Sequence, residues 1–261
     1  KQLMDYNVNG FALVPAGIRL LLSKFSKYLN ELSSQIKYIE MGSAPFSSEE
    51  KENIQRLMPK TNIYMHYGLS EASRATFLNF KDETKLASVG QPTPGNKIKI
   101  CDDRLKDLGI NKIGKILIKS EWLTKGYWGK DNVKYFIGGW FLTDDIGKLD
   151  EDGYLYYVSR ESDIINFQGY KFSPLEIEEI LNAHPHVQSS CVVMRECPDA
   201  GITAIIESNN KTNALIRELK DNCKNNLETY KVPSEIIFCD EIEKSDTGKI
   251  RRKIMKGKYF G

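Results

Sequence analysis

No two of the five cysteines, Cys101, Cys191, Cys197, Cys223 and Cys239, form a CxxC pair. Their odd number suits neither a zinc ribbon nor a disulfide framework. Reduced thiols, and with them a cytoplasmic location, are the expectation. No apolar run approaches the roughly 20 residues that cross a bilayer, and the N-terminus lacks the pattern of a signal peptide, so no membrane span is expected. Charge of one sign is also missing. With 37 Lys and Arg against 35 Asp and Glu, the net charge of +2 gives no long-range pull on nucleic acid, and no nucleic-acid partner is expected. There is no internal repeat and no low-complexity segment. At Asp246–Lys249, Glu243 stands where a Walker A loop needs glycine and Ile250 follows the lysine, which excludes that loop.

What is present is an ordinary globular composition, 41% hydrophobic and 28% charged over 261 residues. That length fits one large and one small domain, or a piece of something larger. The chain opens at Lys1 without a methionine, and a piece of a longer protein is the expectation.

The order of elements begins as α/β. The apolar run Phe11 to Val14 ends at Pro15, after which Ile18, Leu21, Leu22, Phe25, Leu29 and Leu32 recur at helical spacing and predict a core-facing helix. Ile36 to Met41 reads as a buried strand that breaks into the small-residue loop Gly42, Ser43, Ala44 and Pro45, where a ligand can approach backbone closely. Ser47 and Glu50 form a capping box for a second helix that ends near Pro59. Ile63 to Tyr67 is the next strand, with Gly68, Leu69, Ser70 and Glu71 at its carboxyl end, the end at which open α/β sheets bind ligands. From Ser88 to Ser120 short alternating strands, Lys97 to Cys101 and Gly114 to Ser120, predict a small antiparallel sheet or barrel.

The densest polar stretch is 139–178. Trp140, Phe141 and Leu142 run into Thr143, Asp144 and Asp145, which reads as a strand ending on two carboxylates. Asp150, Asp152 and Gly153 make a turn, and Tyr154 to Val158 resumes as a strand. Ser159 to Asp163 is a charged joint, and Ser173, Pro174 and Glu176 supply an N-cap, a first-turn proline and a capping-box acid. Beyond the joint, helix 173–183, strands 190–195 and 203–208, helix 212–227 and strand 235–239 make a compact α+β module. The domain expectation is 1–159, divided into an α/β segment 1–87 and a β-rich segment 88–159, followed by 160–261.

Several clusters carry chemistry, each beside a plainer reading. Tyr67, Gly68, Ser70 and Glu71 offer a ring, a backbone approach, a hydroxyl and a carboxylate, the groups needed to stack a base, bond a phosphate and hold Mg²⁺. They equally describe a strand end with a helix-capping serine. Asp144 and Asp145 can accept from vicinal sugar hydroxyls, or be solvated acids in a turn. Lys249 sits on a turn tip, and with Lys244, Arg251, Arg252, Lys253, Lys256 and Lys258 it forms a basic tail that reads as a solvated face. His184 and His186 flank Pro185 at a helix end, where a helix-dipole interaction accounts for them.

Taken in order and spacing, these motifs resemble the adenylate-forming superfamily of acyl-CoA synthetases, aryl-CoA ligases, luciferases and peptide-synthetase adenylation domains, over almost the whole chain. The resemblance implies that Tyr67 stacks adenine, Gly68 and Ser70 approach the phosphate, Glu71 helps bind Mg²⁺, and Gly42 to Pro45 line the nucleotide and acyl pockets. It further implies that Asp145 holds the ribose hydroxyls and Arg160 opens the linker to a mobile C-terminal lid. Gly169 would border the thiol channel, and Lys249 would reach the carboxylate and α-phosphate during adenylation. The implied substrates are ATP, a fatty or aromatic carboxylic acid and a thiol, CoA or an acyl carrier protein. The alternative class is a non-catalytic nucleotide-binding module. Met41, Ser43, His66 and Arg74 are candidates for contact with the acid. The sequence departs from the family at Asp144, Lys115, Ser162 and Glu243, and the Ser/Thr/Gly-rich loop that grips pyrophosphate is absent from it, so the isolated chain is expected to be catalytically dead or nearly so.

Overall fold

A computed structural model describes residues 2–129, 132–196, 200–246 and 248–261. Cys197 and Thr247 of the turn before Lys249 lie outside the described residues. The chain divides into two compact units, Lys1–Tyr157 and Val158–Gly261, each with its own buried core.

In the first unit, α1 (Gln2–Asp5) precedes β1 (Gly10–Leu13), and α2 (Pro15–Leu32) starts on Pro15. Proline suits that position because the first helical N–H has no intrahelical partner to lose. Of the apolar stripe, Ile18 and Leu29 are buried, whereas Phe25 is 48% exposed, so the helix faces the core more narrowly than its spacing predicts. Next come β2 (Tyr38–Met41), α3 (Ser48–Leu57) and β3 (Asn62–Tyr67). The Ser47–Glu50 capping box is reciprocal: Glu50 N–H donates to Ser47 Oγ at 3.2 Å and Ser47 N–H to Glu50 Oε2 at 2.8 Å. β1, β2 and β3 are parallel. Two further strands, β4 (Thr76–Asn79) and β5 (Gln91–Pro92), extend the sheet antiparallel beyond residue 87.

Strand alternation decides which side chains this sheet offers. Ile39, Met41, Ile63 and Met65 join Ile18, Leu29 and Ile54 in the core, leaving Glu40, Tyr64 and His66 on the opposite face, only partly covered. Lys51 is buried on α3, its ammonium donating to Leu86 O at 2.6 Å and Ser88 O at 2.9 Å, which ties the chain leading to β5 onto the helix.

The second sheet has the order β10-β9-β7-β6, built from β6 (Asn96–Cys101), β7 (Gly114–Ser120), β9 (Trp140–Leu149) and β10 (Leu155–Arg160), with β8 (Phe136–Ile137) also on β9. β6, β7 and β9 pair antiparallel, as the alternating pattern predicts. One expectation fails. The strand does not end at Asp144 and Asp145 but runs on to Leu149. Lys115 pairs with Ile146 and Leu117 with Leu142, so Ile116 alone stands opposite Thr143, Asp144 and Asp145. This bulge leaves Thr143 and Asp145 buried and Asp144 exposed. The carboxylates therefore sit in mid-strand on opposite sides rather than together at a strand mouth.

The second unit takes in the end of β10 and continues with the hairpin β11 (Ile165–Phe167) and β12 (Tyr170–Phe172). There follow α4 (Pro174–Asn182), β13 (Ser189–Arg195), β14 (Gly201–Glu207), α5 (Asn213–Asn226), β15 (Glu235–Cys239) and α6 (Arg252–Phe260). β13 and β14 are antiparallel, β14 and β15 parallel. Ser173 caps α4 by accepting from Leu175 N–H at 3.1 Å, but Glu176 pairs with Lys231 at 2.6 Å, so its carboxylate serves an ion pair where the sequence predicts a capping box. The basic tail also differs from expectation. It folds as α6, with Met255 fully buried and Arg252 locked to Glu178 on α4.

Candidate active site

The carboxyl ends of β2 and β3 release two loops, as the strand–loop order predicts. In the first, Gly42 is buried and Ser43 is exposed at a positive φ of 76°. A side chain at position 42 would put its Cβ 2.3 Å from His66 Nε2, so any larger residue there must displace the imidazole of the neighbouring strand. Ala44 and Pro45 complete the loop, and Pro45 O accepts from Arg19 at 3.0 Å.

In the second loop, Leu69 and Ala72 exchange backbone hydrogen bonds of 3.1 Å. That turn is tight enough for a Cβ at Gly68 to meet the Arg74 nitrogen at 2.5 Å. Ser70 is exposed and Glu71 half-buried. Tyr127 donates its phenol to Glu71 Oε1 at 2.7 Å. Burial, then the carboxylate beside it, pushes the Tyr127 hydroxyl up to about 12, so it remains a donor at neutral pH.

Tyr67, the last residue of β3, donates to Asp145 Oδ2 at 2.8 Å. Burial and the Asp145 charge raise its pKa well above the ordinary tyrosine range, which keeps the phenol protonated. The β9 bulge delivers Asp145. Thr143 Oγ1 donates to Ile116 O at 2.7 Å and accepts from Asp145 N–H at 3.1 Å, so its hydroxyl supplies bonds the disrupted ladder does not. Asp145 is 4% exposed. A carboxylate so buried is costly without donors around it.

Behind these loops, Glu40 Oε1 accepts from Arg74 Nε at 2.6 Å and lies 2.9 Å from His66 Nδ1. Burial lowers the His66 pKa, with Glu40 opposing it. Arg74 adopts a positive φ of 50°. Met41, by contrast, is 1% exposed and faces the core, so it does not join this cluster.

In the second unit, Arg160 closes β10 and is exposed. Gln168 and Gly169 form the two-residue tip of the β11–β12 hairpin, both at positive φ, 52° and 85°, the conformation of a type I′ turn. Lys249 is exposed on a second tip, where Ser245 N–H donates to Lys249 O and Gly248 N–H to Ser245 O, both at 2.8 Å. Three residues on, Arg252 donates to both Glu178 carboxylate oxygens and to Val192 O, which anchors the end of that loop.

Sequence reading thus missed Glu40, Tyr127, Thr143 and the Arg252–Glu178 pair. A signal existed for Glu40, a lone acid in the four-residue strand Tyr38–Met41. Tyr127 and Thr143 gave none beyond proximity to aromatic and acidic neighbours.

Comparison with known proteins accords with this arrangement. The AMP-binding enzyme profile matches residues 1–128 and the AMP-binding enzyme C-terminal domain profile residues 176–249. Among relatives, an uncharacterized acyl-CoA ligase, YhfT, of Bacillus subtilis is 34% identical over 85% of this chain and 45% of its own length. The 2-succinylbenzoate–CoA ligase of Geobacillus kaustophilus is 35% identical over 74% of this chain and 41% of its own. The solved O-succinylbenzoate coenzyme A synthetase of Bacillus subtilis, in complex with ATP and magnesium ion, superposes with a TM-score of 0.87 at 27% identity, over 98% of this chain and 53% of that one. The chain spans about half the length of the curated relatives it matches. With profiles matched in both units and ligase relatives aligned along most of its length, the chain belongs to the AMP-binding enzyme family, the adenylate-forming superfamily.

Proposed function

We propose that the protein activates a carboxylic acid with ATP and passes the acyl group to a thiol, most simply that of CoA. The observation that carries this reading is the buried Asp145 carboxylate, held by the Tyr67 phenol at 2.8 Å beside a strand-end loop bearing Glu71. A fixed acceptor next to an aromatic ring suits a nucleoside, with hydroxyls on the acid and a base against the ring. Gly42 to Pro45, Gly68 and Ser70 give backbone and hydroxyl contacts to the same nucleotide. Among the described residues no three His, Cys, Asp or Glu side chains form a metal cage. A Mg²⁺ held by Glu71 and nucleotide phosphates needs none, because Mg²⁺ binds through one or two carboxylates plus phosphates and water, and when bound it offsets phosphate charge.

In the first half-reaction a carboxylate oxygen of the acid bonds to the α-phosphorus as the bond to pyrophosphate breaks. Lys249, on its exposed tip, offsets the charge that moves. In the second, a thiolate bonds to the acyl carbon and the bond to AMP breaks. Residues 160–261 act as the lid in this scheme, turning at Arg160, with Gly169 bordering the thiol's path, a domain-closure form of gating.

The test is exchange of pyrophosphate into ATP by the full-length protein across a broad acid panel, followed by detection of the thioester with CoA or with an acyl carrier protein. Exchange that Lys249→Ala abolishes, with AMP still bound, supports an acid:thiol ligase, and the acceptor that forms thioester decides between the two thiols. No exchange with any acid overturns the enzyme in favour of a nucleotide-binding module.

A further inference from the structure

The face of the first sheet that bears the two site loops carries an ion-paired cluster where a hydrocarbon-binding surface would be apolar. Glu40, on β2, has 18% of its side chain exposed and His66, on β3, 21%. Arg74 follows the Tyr67–Glu71 loop and bonds to Glu40 through Nε at 2.6 Å. His66 is also the ring packed over Gly42, so the cluster touches both loops at once. Its two backbone neighbours in strain are themselves loop residues: Ser43 and Arg74 are non-glycine residues at positive φ, 76° and 50°, and such strain persists where surrounding structure enforces it.

The donor and acceptor balance is one-sided. Glu40 Oε1 already faces both Arg74 Nε and His66 Nδ1. Arginine has five N–H donors and no acceptor, and among the described residues the terminal nitrogens of Arg74 have no partner. Arg74 therefore keeps its terminal N–H donors for a further acceptor, in a fork that matches a carboxylate. A hydrocarbon tail laid across it would strip water from these charges and return nothing.

We infer that the acid activated at this site carries a second carboxylate, received by Arg74 with His66 beside it, so that the substrate is a dicarboxylic acid and not a plain fatty or aromatic monoacid. This rests on the acid-activating reading above. Glu40 is a positioning residue here, since it acts through the two side chains it holds.

The experiment measures pyrophosphate exchange by the full-length protein with matched pairs: succinate against butanoate, adipate against hexanoate, and a carboxybenzoate against benzoate. Titration with AMP alone runs beside it. The expected result is a kcat/KM ratio favouring one or more diacids by roughly 10- to 100-fold, the size of one charge-assisted hydrogen bond. That ratio collapses towards unity in Arg74→Met and is partly kept in Arg74→Lys. Exchange that favours the monoacids, or a diacid preference that Arg74→Met leaves intact, overturns the inference while the acid-activating reading stands. Absence of exchange with every acid, AMP bound or not, overturns both.

Discussion

Tyr67 and Asp145, 78 residues apart in sequence, are joined by a 2.8 Å hydrogen bond from phenol to carboxylate. Tyr67→Phe keeps the ring and removes the donor, leaving a carboxylate that is 4% exposed with one bond fewer. A cost of about 1–3 kcal/mol in unfolding free energy is expected, read by urea titration. Under the proposed function Asp145→Ala should weaken AMP binding more than Tyr67→Phe does, which calorimetry resolves. Equal losses would argue that the aspartate serves the fold alone.

Thr143 holds the β9 bulge through one hydroxyl. Thr143→Val preserves shape and leaves Ile116 O and Asp145 N–H without it. The expected loss is about 2 kcal/mol, the penalty for stranding buried polar groups. Weaker AMP binding should accompany it, because the bulge aims Asp145. Thr143→Ser should recover most of both. A valine variant as stable as the parent would sink this account of the bulge.

Tyr127 gives a pH signature. Its pKa is raised from 10 to about 12 in the folded state by burial and by Glu71. The native state therefore holds the proton longer than the unfolded chain, and the stability this contributes is complete below pH 10 and lost as pH rises through about 12. Spectrophotometric titration of tyrosinate should show several late-ionising groups, Tyr67 and Tyr154 among them, and Tyr127→Phe should remove one of these. The variant's stability should also fall less steeply over the same interval.

In the second unit, Glu178 is 3% exposed and accepts both terminal nitrogens of Arg252. Burial raises the Glu178 pKa against the pull of Arg252. Arg252→Met strands the carboxylate and should cost about 3–5 kcal/mol, whereas replacing both partners by methionine should restore much of the loss. Thermal melts of the two single variants and the double form the cycle. An additive double variant would show that the two residues do not act as a pair.

The loops at Gly42–Pro45 and Tyr67–Glu71 were legible in the sequence because each follows an apolar strand and leads on through turn-forming residues. The bulge was not. Register belongs to two strands at once, and nothing in Thr143–Asp145 alone says that Ile116 will face all three. The helix α6 was hidden by its charges: Met255 is fully buried while Ile254, beside it, is 49% exposed, and one buried position among lysines carries little periodicity. Glu40 was overlooked for a related reason, since a strand as short as Tyr38–Met41 has too few residues for its alternation to stand out.

The Glu178–Arg252 clasp also bears on how the second unit is made. The partners lie 74 residues apart, so a growing chain synthesised at ~5–20 residues per second carries the unpaired acid for roughly 4–15 seconds before its arginine is added. Through that interval β13 has no α6 to cover Met255's niche beside Cys191, and the nascent module exposes an apolar surface to whatever meets it first. Stalling translation between β13 and α6, within 196–251, should therefore yield chains that chaperones retain, and release should follow once α6 has left the ribosome.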